Sequence, residues 1–317
     1  MKYLNSININ YKENVSKKNS KNLNDKVKII LIFVIFIIYS IVNIIFLLKK
    51  KHISNFKKEL NRKNINLLKV MTNYNKALYE GAEKCLENNP DKQLCLYQFL
   101  CPKEVIDRKR VLMGEKKDGC YVMLDDFENI KIAYSIGISV SNQFDKALAD
   151  KGIDIYMYDH TISRLPSENE KFHWKKIGIG GNSERSSNIQ TLQDMIKENG
   201  HINQKNMIFK MDVEGAEWNS LNDISEKILC QFKYLLFEFH FGKKDLILFY
   251  NILKKIYKTH QAFYVHCSPF SRIISFGNNR LCSALEVSYI IRNGYKFSKD
   301  KSFYPIKEFS YGYKEGF

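Results

Sequence analysis

The amino-acid sequence predicts an α/β domain with a doubly wound parallel sheet and a C-terminal antiparallel hairpin, preceded by one transmembrane helix. From about residue 105, short apolar runs alternate with stretches of helical period, which is typical of a sheet covered on both faces. An uncharged apolar run of twenty residues, 29–48, is long enough to cross a bilayer core of about 30 Å. Two late apolar runs, 262–266 and 285–291, favour antiparallel pairing with each other.

The composition indicates a folded chain whose basic charge is concentrated near the N-terminus. The 317 residues carry a formal net charge of +16, and 13% of them are aromatic, which excludes a mostly disordered chain. Residues 1–63 hold 14 Lys/Arg and three acids, which leaves 36 basic and 31 acidic residues for the rest of the chain. Because the main domain lacks a dense basic stripe, we expect no nucleic-acid partner.

The same pattern divides the chain into four segments: a basic tail at 1–28, the transmembrane helix at 29–48, a stem at 49–104 and the main domain at 105–317. The apolar run ends in lysines rather than in small residues, which favours a retained span over a cleaved signal peptide. Seven basic residues lie on each side of the span up to residue 63, so charge alone leaves its orientation open.

Seven cysteines are present, and no pair has the C-x-x-C spacing of a zinc site. The sequence leaves two alternatives open, namely seven reduced thiols or one to two disulfides formed in a lumenal compartment.

The elements of the main domain follow from local periodicity and its breaks. The apolar run Ile132–Ile136 is a strand ending at Gly137, and Phe144 with Leu148 has the spacing of a helix that Gly152 ends. The same reasoning gives the remaining strands and helices, with five strands parallel. They are strands at 153–158, 174–179, 207–211 and 234–237, helices at 192–199 and 246–257, and the late pair of strands.

Polar residues cluster where the predicted strands end. In doubly wound sheets, ligands bind beyond the carboxyl ends of the strands, at the point where strand order reverses. The residues at these ends converge on one rim of the sheet and are Ser135, Ile136, Gly137, Asp159, Asp212, Glu214, Glu238 and His240.

Gly137 and Asp159 predict a cofactor that contains a nucleoside. A glycine after the first strand lets the backbone approach a ligand, and an acid 22 residues later has the spacing of one that binds ribose hydroxyls. A dinucleotide fingerprint needs three glycines where this loop has one, so the pattern disfavours NAD and favours S-adenosylmethionine. The alternative is a lone glycine in a tight turn.

Four residues are candidates for catalysis. Asp212 and Glu214 could bind the cationic end of a cofactor, orient a substrate hydroxyl or take its proton, or they could be helix N-terminal acids. We expect Glu217 to be such an acid, facing solvent. Glu238 and His240 could form an orienting group and a base, or a structural pair. Asp212, Glu238 and His240 suit a metal by ligand type, but their spacing does not demand one, and no metal is predicted.

Several motifs resemble FkbM-type S-adenosylmethionine-dependent methyltransferases, and within them the membrane-anchored methyltransferase-like proteins of animals. The resemblance covers about residues 108–240. The motifs that show the resemblance lie at 110–114 (RVLMG), 118–122 (DGCYV), 134–138 (YSIGI) and 210–218 (KMDVEGAEW).

The resemblance implies a class I methyltransferase domain with a Rossmann-like sheet. It further implies that Ser135 to Ile138 line the methionine end of the cofactor, that Asp159 binds its ribose and that Asp212 lies at the methyl-transfer site. We also expect Asp118, in the second motif, to bind the cofactor.

These observations together predict a single-pass membrane protein that transfers a methyl group from S-adenosylmethionine to a hydroxyl of a glycan or small molecule. We expect a type II orientation, with the large domain in the lumen of the endoplasmic reticulum or Golgi. The alternative is a non-catalytic binding module with the same fold, tethered to the bilayer, which Ser135 and Asn142 favour because related chains often have acids there. An NAD-dependent oxidoreductase is disfavoured by the missing glycines.

Overall fold

A mixed sheet of seven strands forms the centre of the structure, a computed structural model that describes residues 94–242, 245–268, 271–276, 279–300 and 308–309. The strands, in chain order, are β1 Lys103–Val105, β2 Arg110–Met113, β3 Tyr121–Leu124, β4 Ile132–Ile136, β5 Asp154–Tyr158, β6 Phe172–Lys175, β7 Gly178–Ile179, β8 Ile189–Gln190, β9 Met207–Met211, β10 Phe232–His240, β11 His260–Cys267, β12 Ile273–Phe276, β13 Asn279–Cys282, β14 Ala284–Ile291 and β15 Phe297–Lys299. The helices are α1 Tyr97–Leu100, α2 Gln143–Ala149, α3 Leu192–Glu198, α4 Glu217–Asp223, α5 Glu226–Leu229 and α6 Leu246–Thr259, with a 3-10 turn at Asn182–Glu184.

The strand order across the sheet is β11-β14-β10-β9-β4-β5-β6. Strands β6, β5, β4, β9 and β10 run parallel, and β14 is antiparallel to both of its neighbours. The predicted α/β class, the five parallel strands and the closing antiparallel pair are therefore confirmed. The chain order reverses between the neighbours β4 and β9, so the ligand crevice is expected at their carboxyl ends.

The central strands are apolar because helices cover both faces of the sheet. Every residue of β9 is buried, including one lysine, and β10 is buried from Phe232 to Phe239. Trp218 on α4 is fully buried and packs its ring against Phe249 of α6, with ring centroids 4.3 Å apart. Its indole Nε1 donates a hydrogen bond of 2.8 Å to the carbonyl oxygen of His240, which fixes the end of β10 against α4.

The third parallel strand is shorter than predicted and lies earlier. The sequence predicts one strand at 174–179, whereas β6 leaves the sheet after Lys175 because the amide of Ile177 turns back to the carbonyl of Lys175, at 2.9 Å. The residues beyond this turn form β7, which pairs with β8 outside the main sheet. Helices α2, α3 and α6 lie where helical spacing predicts them, each within two residues at either end.

Residues 94–105 pack onto the domain, although the sequence assigns most of them to the stem. The amide of Leu96 donates to Asn279 Oδ1 at 3.0 Å, and the ring of Phe99 lies 5.2 Å from that of Tyr250 on α6. The predicted tail, the transmembrane run and the first part of the stem lie outside the described residues. Among the residues that the structure describes, no helix is long and apolar enough to cross a membrane.

Disulfide bonds are present, so the alternative of seven reduced thiols is wrong. Cys267 at the end of β11 is joined to Cys282 at the end of β13, and Cys95 is also disulfide-bonded. Cys120 and Cys230 keep their thiols, and burial raises the pKa of the Cys120 thiol to about 12. The Cys267–Cys282 bridge holds the β12–β13 hairpin to the edge of the sheet.

Replacing both bridging cysteines, Cys267→Ser with Cys282→Ser, should lower the free energy of unfolding by about 3 kcal/mol, because the bond closes a loop of 15 residues. Urea denaturation under oxidising conditions measures the loss. Cys230→Ser, at an exposed free thiol, is the matched control and should leave the midpoint unchanged. Equal stability of the double variant and the native chain would contradict the prediction.

Candidate active site

Two clefts open at the carboxyl ends of the parallel strands and meet at shared residues. The first, about 680 Å³, lies over β4 and β5, and the second, about 620 Å³, lies over β10 and the β13–β14 connection. Asp118, Asp212 and Glu214 line both clefts. The structure therefore brings together nine of the ten predicted site residues, while Ser135 is fully buried and lines neither cleft.

The floor of the first cleft depends on Gly137. Its φ is +79°, and a Cβ at this position would lie 1.7 Å from the carbonyl oxygen of Asp212. Only glycine allows this approach. The amide of Asp212 donates to the carbonyl of Ile136 at 3.1 Å, so the chain after β9 stays joined to the loop after β4. The glycine predicted to face a ligand also packs the two strand ends together.

Asp159 holds the loop after β4 in place. Its Oδ2 accepts hydrogen bonds from the amides of Ile138 and Ser139, at 2.9 and 3.0 Å, and its Oδ1 accepts from the amide and hydroxyl of Thr161, at 2.8 and 2.6 Å. Burial acts to raise the pKa of Asp159, but these hydrogen bonds outweigh it and lower the pKa to about 2. All four acceptor positions of the carboxylate are occupied. Ribose binding by Asp159 stays a prediction, since a ribose hydroxyl would have to displace one of these donors.

A buried lysine and a buried acid lie beneath the first cleft, and neither was predicted from the sequence. Lys210, the last residue but one of β9, donates through Nζ to the carbonyls of Ile136 and Gly137. Asp145, in the first turn of α2, is buried, and its Oδ1 has no hydrogen-bond partner among the residues that the structure describes. Burial raises the pKa of Asp145 to about 6, while the charge of Lys210 opposes that rise. The sequence feature that could have predicted Lys210 is a lysine within an otherwise apolar strand.

The second cleft contains an oriented histidine. His240 Nδ1 lies 3.0 Å from Glu217 Oε1, and because a carboxylate only accepts, Nδ1 donates. Nε2 therefore faces the cleft, 3.4 Å from Glu214 Oε2 and 3.7 Å from Glu238 Oε1. Burial acts to lower the pKa of His240, but the hydrogen bond that it donates to Glu217 and the charges of the neighbouring acids outweigh burial, so the pKa is raised.

One expectation about the surroundings of this histidine was wrong, and one open alternative is decided. Glu217 does not face solvent but is fully buried, where its Oε1 also accepts from the amides of Val213 and Gly215. The residue that orients His240 is therefore Glu217 and not Glu238. An acid in the first turn of a helix normally faces water, and only the position of β10 beside α4 turns this one inward.

Carboxylates form a row across the sheet at the second cleft. Glu238 of β10 is paired in register with Glu286 of β14, and Glu286 is paired with His266 of β11. Burial and the neighbouring carboxylates raise the pKa of Glu238 to about 10, and burial also raises the pKa of Asp212. Two sets of side chains have ligand atoms within 4.8 Å of one another and could hold a metal ion. They are Asp212 with Glu238 and His240, and Asp118 with Glu238 and Glu286.

A segment that supplies much of both clefts matches a known family. Residues 127–263 match the family model of the methyltransferase FkbM domain. This FkbM domain match runs from the residues before β4 into β11, so it includes Asp159, Asp212 and His240. The resemblance to FkbM-type methyltransferases is thereby confirmed for this segment, whereas a relation to membrane-anchored proteins of animals stays a prediction.

Solved structures show distant likenesses to this chain. One is a methyltransferase FkbM from Methylobacillus flagellatus, at 16% identity over 50% of this chain and 44% of that one, with a TM-score of 0.32. A proposed haemolysin from Streptococcus thermophilus matches at 12% identity over 56% and 64%, with a TM-score of 0.29. A proposed S-adenosylmethionine-dependent methyltransferase from Streptococcus mutans matches at 11% identity over 59% and 56%, with a TM-score of 0.30. The chain thus spans less than two thirds of each structure, and no curated protein matches it.

Asp145→Asn should make the protein more stable at neutral pH. The folded-state pKa of about 6 lies above the ordinary 3.8, so the folded state binds more protons between these values, and stability falls as pH rises through this window. The asparagine side chain cannot ionise, so the variant keeps its stability as the pH rises through this window. We expect the free energy of unfolding of the variant to exceed that of the native chain by roughly 1–3 kcal/mol at pH 7, and the difference to vanish near pH 4.

Urea denaturation at pH 4, 5, 6 and 7 measures this difference. Asp150→Asn, an exposed acid at the end of the same helix, is the control and should show no such pH dependence. The prediction is contradicted if the native chain is more stable than Asp145→Asn at pH 7.

Proposed function

We propose that this protein is an S-adenosylmethionine-dependent methyltransferase that methylates a hydroxyl group, with the cofactor in the first cleft and the acceptor in the second. The observation that carries the proposal is the meeting of two clefts at Asp212, at the point where strand order reverses, inside a segment that matches the FkbM domain. Methyl transfer needs two bound molecules whose reacting atoms are held within van der Waals contact. Two adjoining sites meet this requirement.

The first cleft fits the cofactor in size and in charge. Its volume of about 680 Å³ lies within the range of small-molecule sites, and the carboxylates of Asp118 and Asp212 line it. When bound, S-adenosylmethionine supplies an electrophilic methyl group on a sulfonium centre. Both carboxylates lie where they can attract the positive charges of its methionine end.

The second cleft suits a hydroxyl-bearing acceptor such as a glycan or small molecule. Its lining includes polar side chains that can hydrogen-bond to hydroxyls, namely those of Ser268, Ser271, Arg272 and Ser283. An acceptor hydroxyl must lose its proton as the methyl group is transferred. The groups at the boundary that can take up this proton are Asp212, Glu214, Glu238 and His240.

A second candidate function is a non-catalytic binding module with the same fold. It is favoured by the complete engagement of the Asp159 carboxylate and by the burial of Ser135 away from both clefts. This module would bind S-adenosylmethionine weakly or not at all, so a direct binding measurement separates the two functions.

Calorimetric titration of the purified protein with S-adenosylmethionine tests the proposal, and saturable binding is expected. Asp159→Asn should weaken it at least tenfold, because the amide cannot accept all four hydrogen bonds that hold the loop after β4. Asp154→Asn, at the half-buried start of β5, the strand that Asp159 follows, should leave the affinity unchanged. Circular dichroism checks that both variants fold.

The same protein is then incubated with S-adenosylmethionine carrying a tritiated methyl group and a panel of mono- and oligosaccharides. Transfer of label to one of them supports hydroxyl methylation. Absence of S-adenosylmethionine binding to a folded native chain would favour the non-catalytic module, and tight binding of NADH instead would indicate an oxidoreductase.

We propose further that residues 29–48 anchor the protein in a bilayer, with the large domain in the lumen of the endoplasmic reticulum or Golgi. The support is the uncharged apolar run together with the disulfide bonds of the domain.

Ile35→Arg with Ile38→Arg should release the full chain from carbonate-washed membranes, because each arginine at a span centre costs about 3 kcal/mol. Ile53→Arg, outside the run, is the control and should leave the chain in the membrane. Protease protection of the domain in sealed microsomes tests the lumenal orientation. Retention of the double-arginine variant in the membrane would contradict the anchor.

A further inference from the structure

We propose that Asp212, Glu238 and His240 bind one divalent cation at the boundary between the two clefts. The binding itself can be tested without cofactor or acceptor, while its role in catalysis rests on the proposed function. The three ligand atoms lie within 4.8 Å of one another at the ends of the neighbouring strands β9 and β10. Two carboxylate oxygens and one imidazole nitrogen suit a cation that accepts both kinds of ligand, such as Mn²⁺.

The first supporting observation is the way in which His240 is held. Glu217 accepts the hydrogen bond of Nδ1, so Nε2 faces the cleft and is the ring nitrogen that can bind a cation once its proton is displaced. A carboxylate that fixes the tautomer and ring orientation of a histidine is the usual partner behind a metal-bound imidazole. Glu217 is itself held by the amides of Val213 and Gly215, so this arrangement exists without any ion.

The second supporting observation is the state of Glu238. Glu238 is 7% exposed and lines the second cleft, yet its carboxyl group accepts no hydrogen bond from the described residues. Its nearest positively charged partner is His240 Nε2, at 3.7 Å. A buried carboxyl group without a hydrogen-bond partner is costly, and the residue paired with it in register, Glu286, is also acidic. A divalent cation would supply the charge that the surrounding protein does not.

The cation would give the acceptor hydroxyl a binding partner that lowers its pKa. Glu214 is not a ligand in this arrangement, and its side chain is 88% exposed and lies 3.4 Å from His240 Nε2. The hydroxyl proton would pass to the Glu214 carboxylate, and the electron pair would remain on the acceptor oxygen. That oxygen forms the new C–O bond as the methyl–sulfur bond breaks, and the pair of the broken bond stays on sulfur.

Titration of the full chain with Mn²⁺ tests the site, after treatment with a chelator and in the absence of cofactor and acceptor. The electron paramagnetic resonance signal of free Mn²⁺ reports binding, and we expect one site per chain. His240→Ala and Glu238→Gln should each raise the Kd at least tenfold. Glu217→Gln, at a positioning residue, should raise it about tenfold, because the amide removes the negative charge that makes the imidazole a stronger ligand.

Asp118→Asn distinguishes the two overlapping sets of ligands. It should leave the Kd of Mn²⁺ unchanged, because Asp118 belongs only to the set with Glu238 and Glu286. Loss of binding in Asp118→Asn with normal binding in His240→Ala would overturn the proposal in favour of the other set. Circular dichroism and the midpoint of thermal unfolding confirm that each variant folds.

One measurement on the native chain does not depend on any variant folding. The electron spin echo of bound Mn²⁺ should show modulation from a nitrogen nucleus, which comes from His240 if the proposal is right. Absence of Mn²⁺ binding, or binding without nitrogen modulation, would overturn it. If the chain binds Mn²⁺ but not S-adenosylmethionine, the cation site is supported and the proposed function fails. If it binds S-adenosylmethionine but not Mn²⁺, the proposed function is supported and the cation site fails.

Discussion

The close contact between the ends of β4 and β9 is the constraint on which both clefts depend. Gly137 touches the backbone of Asp212, and no side chain could fit between them. Lys210 reinforces the contact by donating to the two carbonyls at the end of β4. Because these strands are also where chain order reverses, the contact fixes Asp212 between a cleft over β4 and a cleft over β10.

Titratable side chains lie on both sides of this contact. Lys210 and Asp145 lie beneath the first cleft, and the acidic side chains of Asp212, Glu238 and Glu286 lie along the second. Neighbouring buried carboxylates repel one another, so the arrangement lowers the stability of the folded state. Proteins keep such costly arrangements at functional sites, and ligands that bring positive charge would relieve this one.

Periodicity predicted the parts of the fold that are determined locally. The strands β4, β5, β9 and β10 and the helices α2, α3 and α6 lie close to their predicted positions because each carries its own apolar pattern and end signal. The prediction of the third parallel strand at 174–179 was wrong, because a turn that only tertiary pairing reveals divides this apolar run. The same holds for the site. Strand-end residues were predictable, whereas the partners of Glu217 and Asp159 come from elements distant in the sequence.

The motif at 212–218 illustrates why residue types alone could not assign these roles. Its first acid, Asp212, lines both clefts, and positive φ values at Glu214 and Gly215, 56° and 108°, turn the chain sharply into α4. That turn directs Glu217 back toward β10, where it binds the ring of His240, and the next residue, Trp218, binds its carbonyl oxygen. The motif therefore works as one unit that joins β9 to β10 and holds His240 at two points. A spacing of acids in the sequence shows that such a unit exists, but only the packing of β10 against α4 shows which acid acts on the ligand and which one holds the histidine.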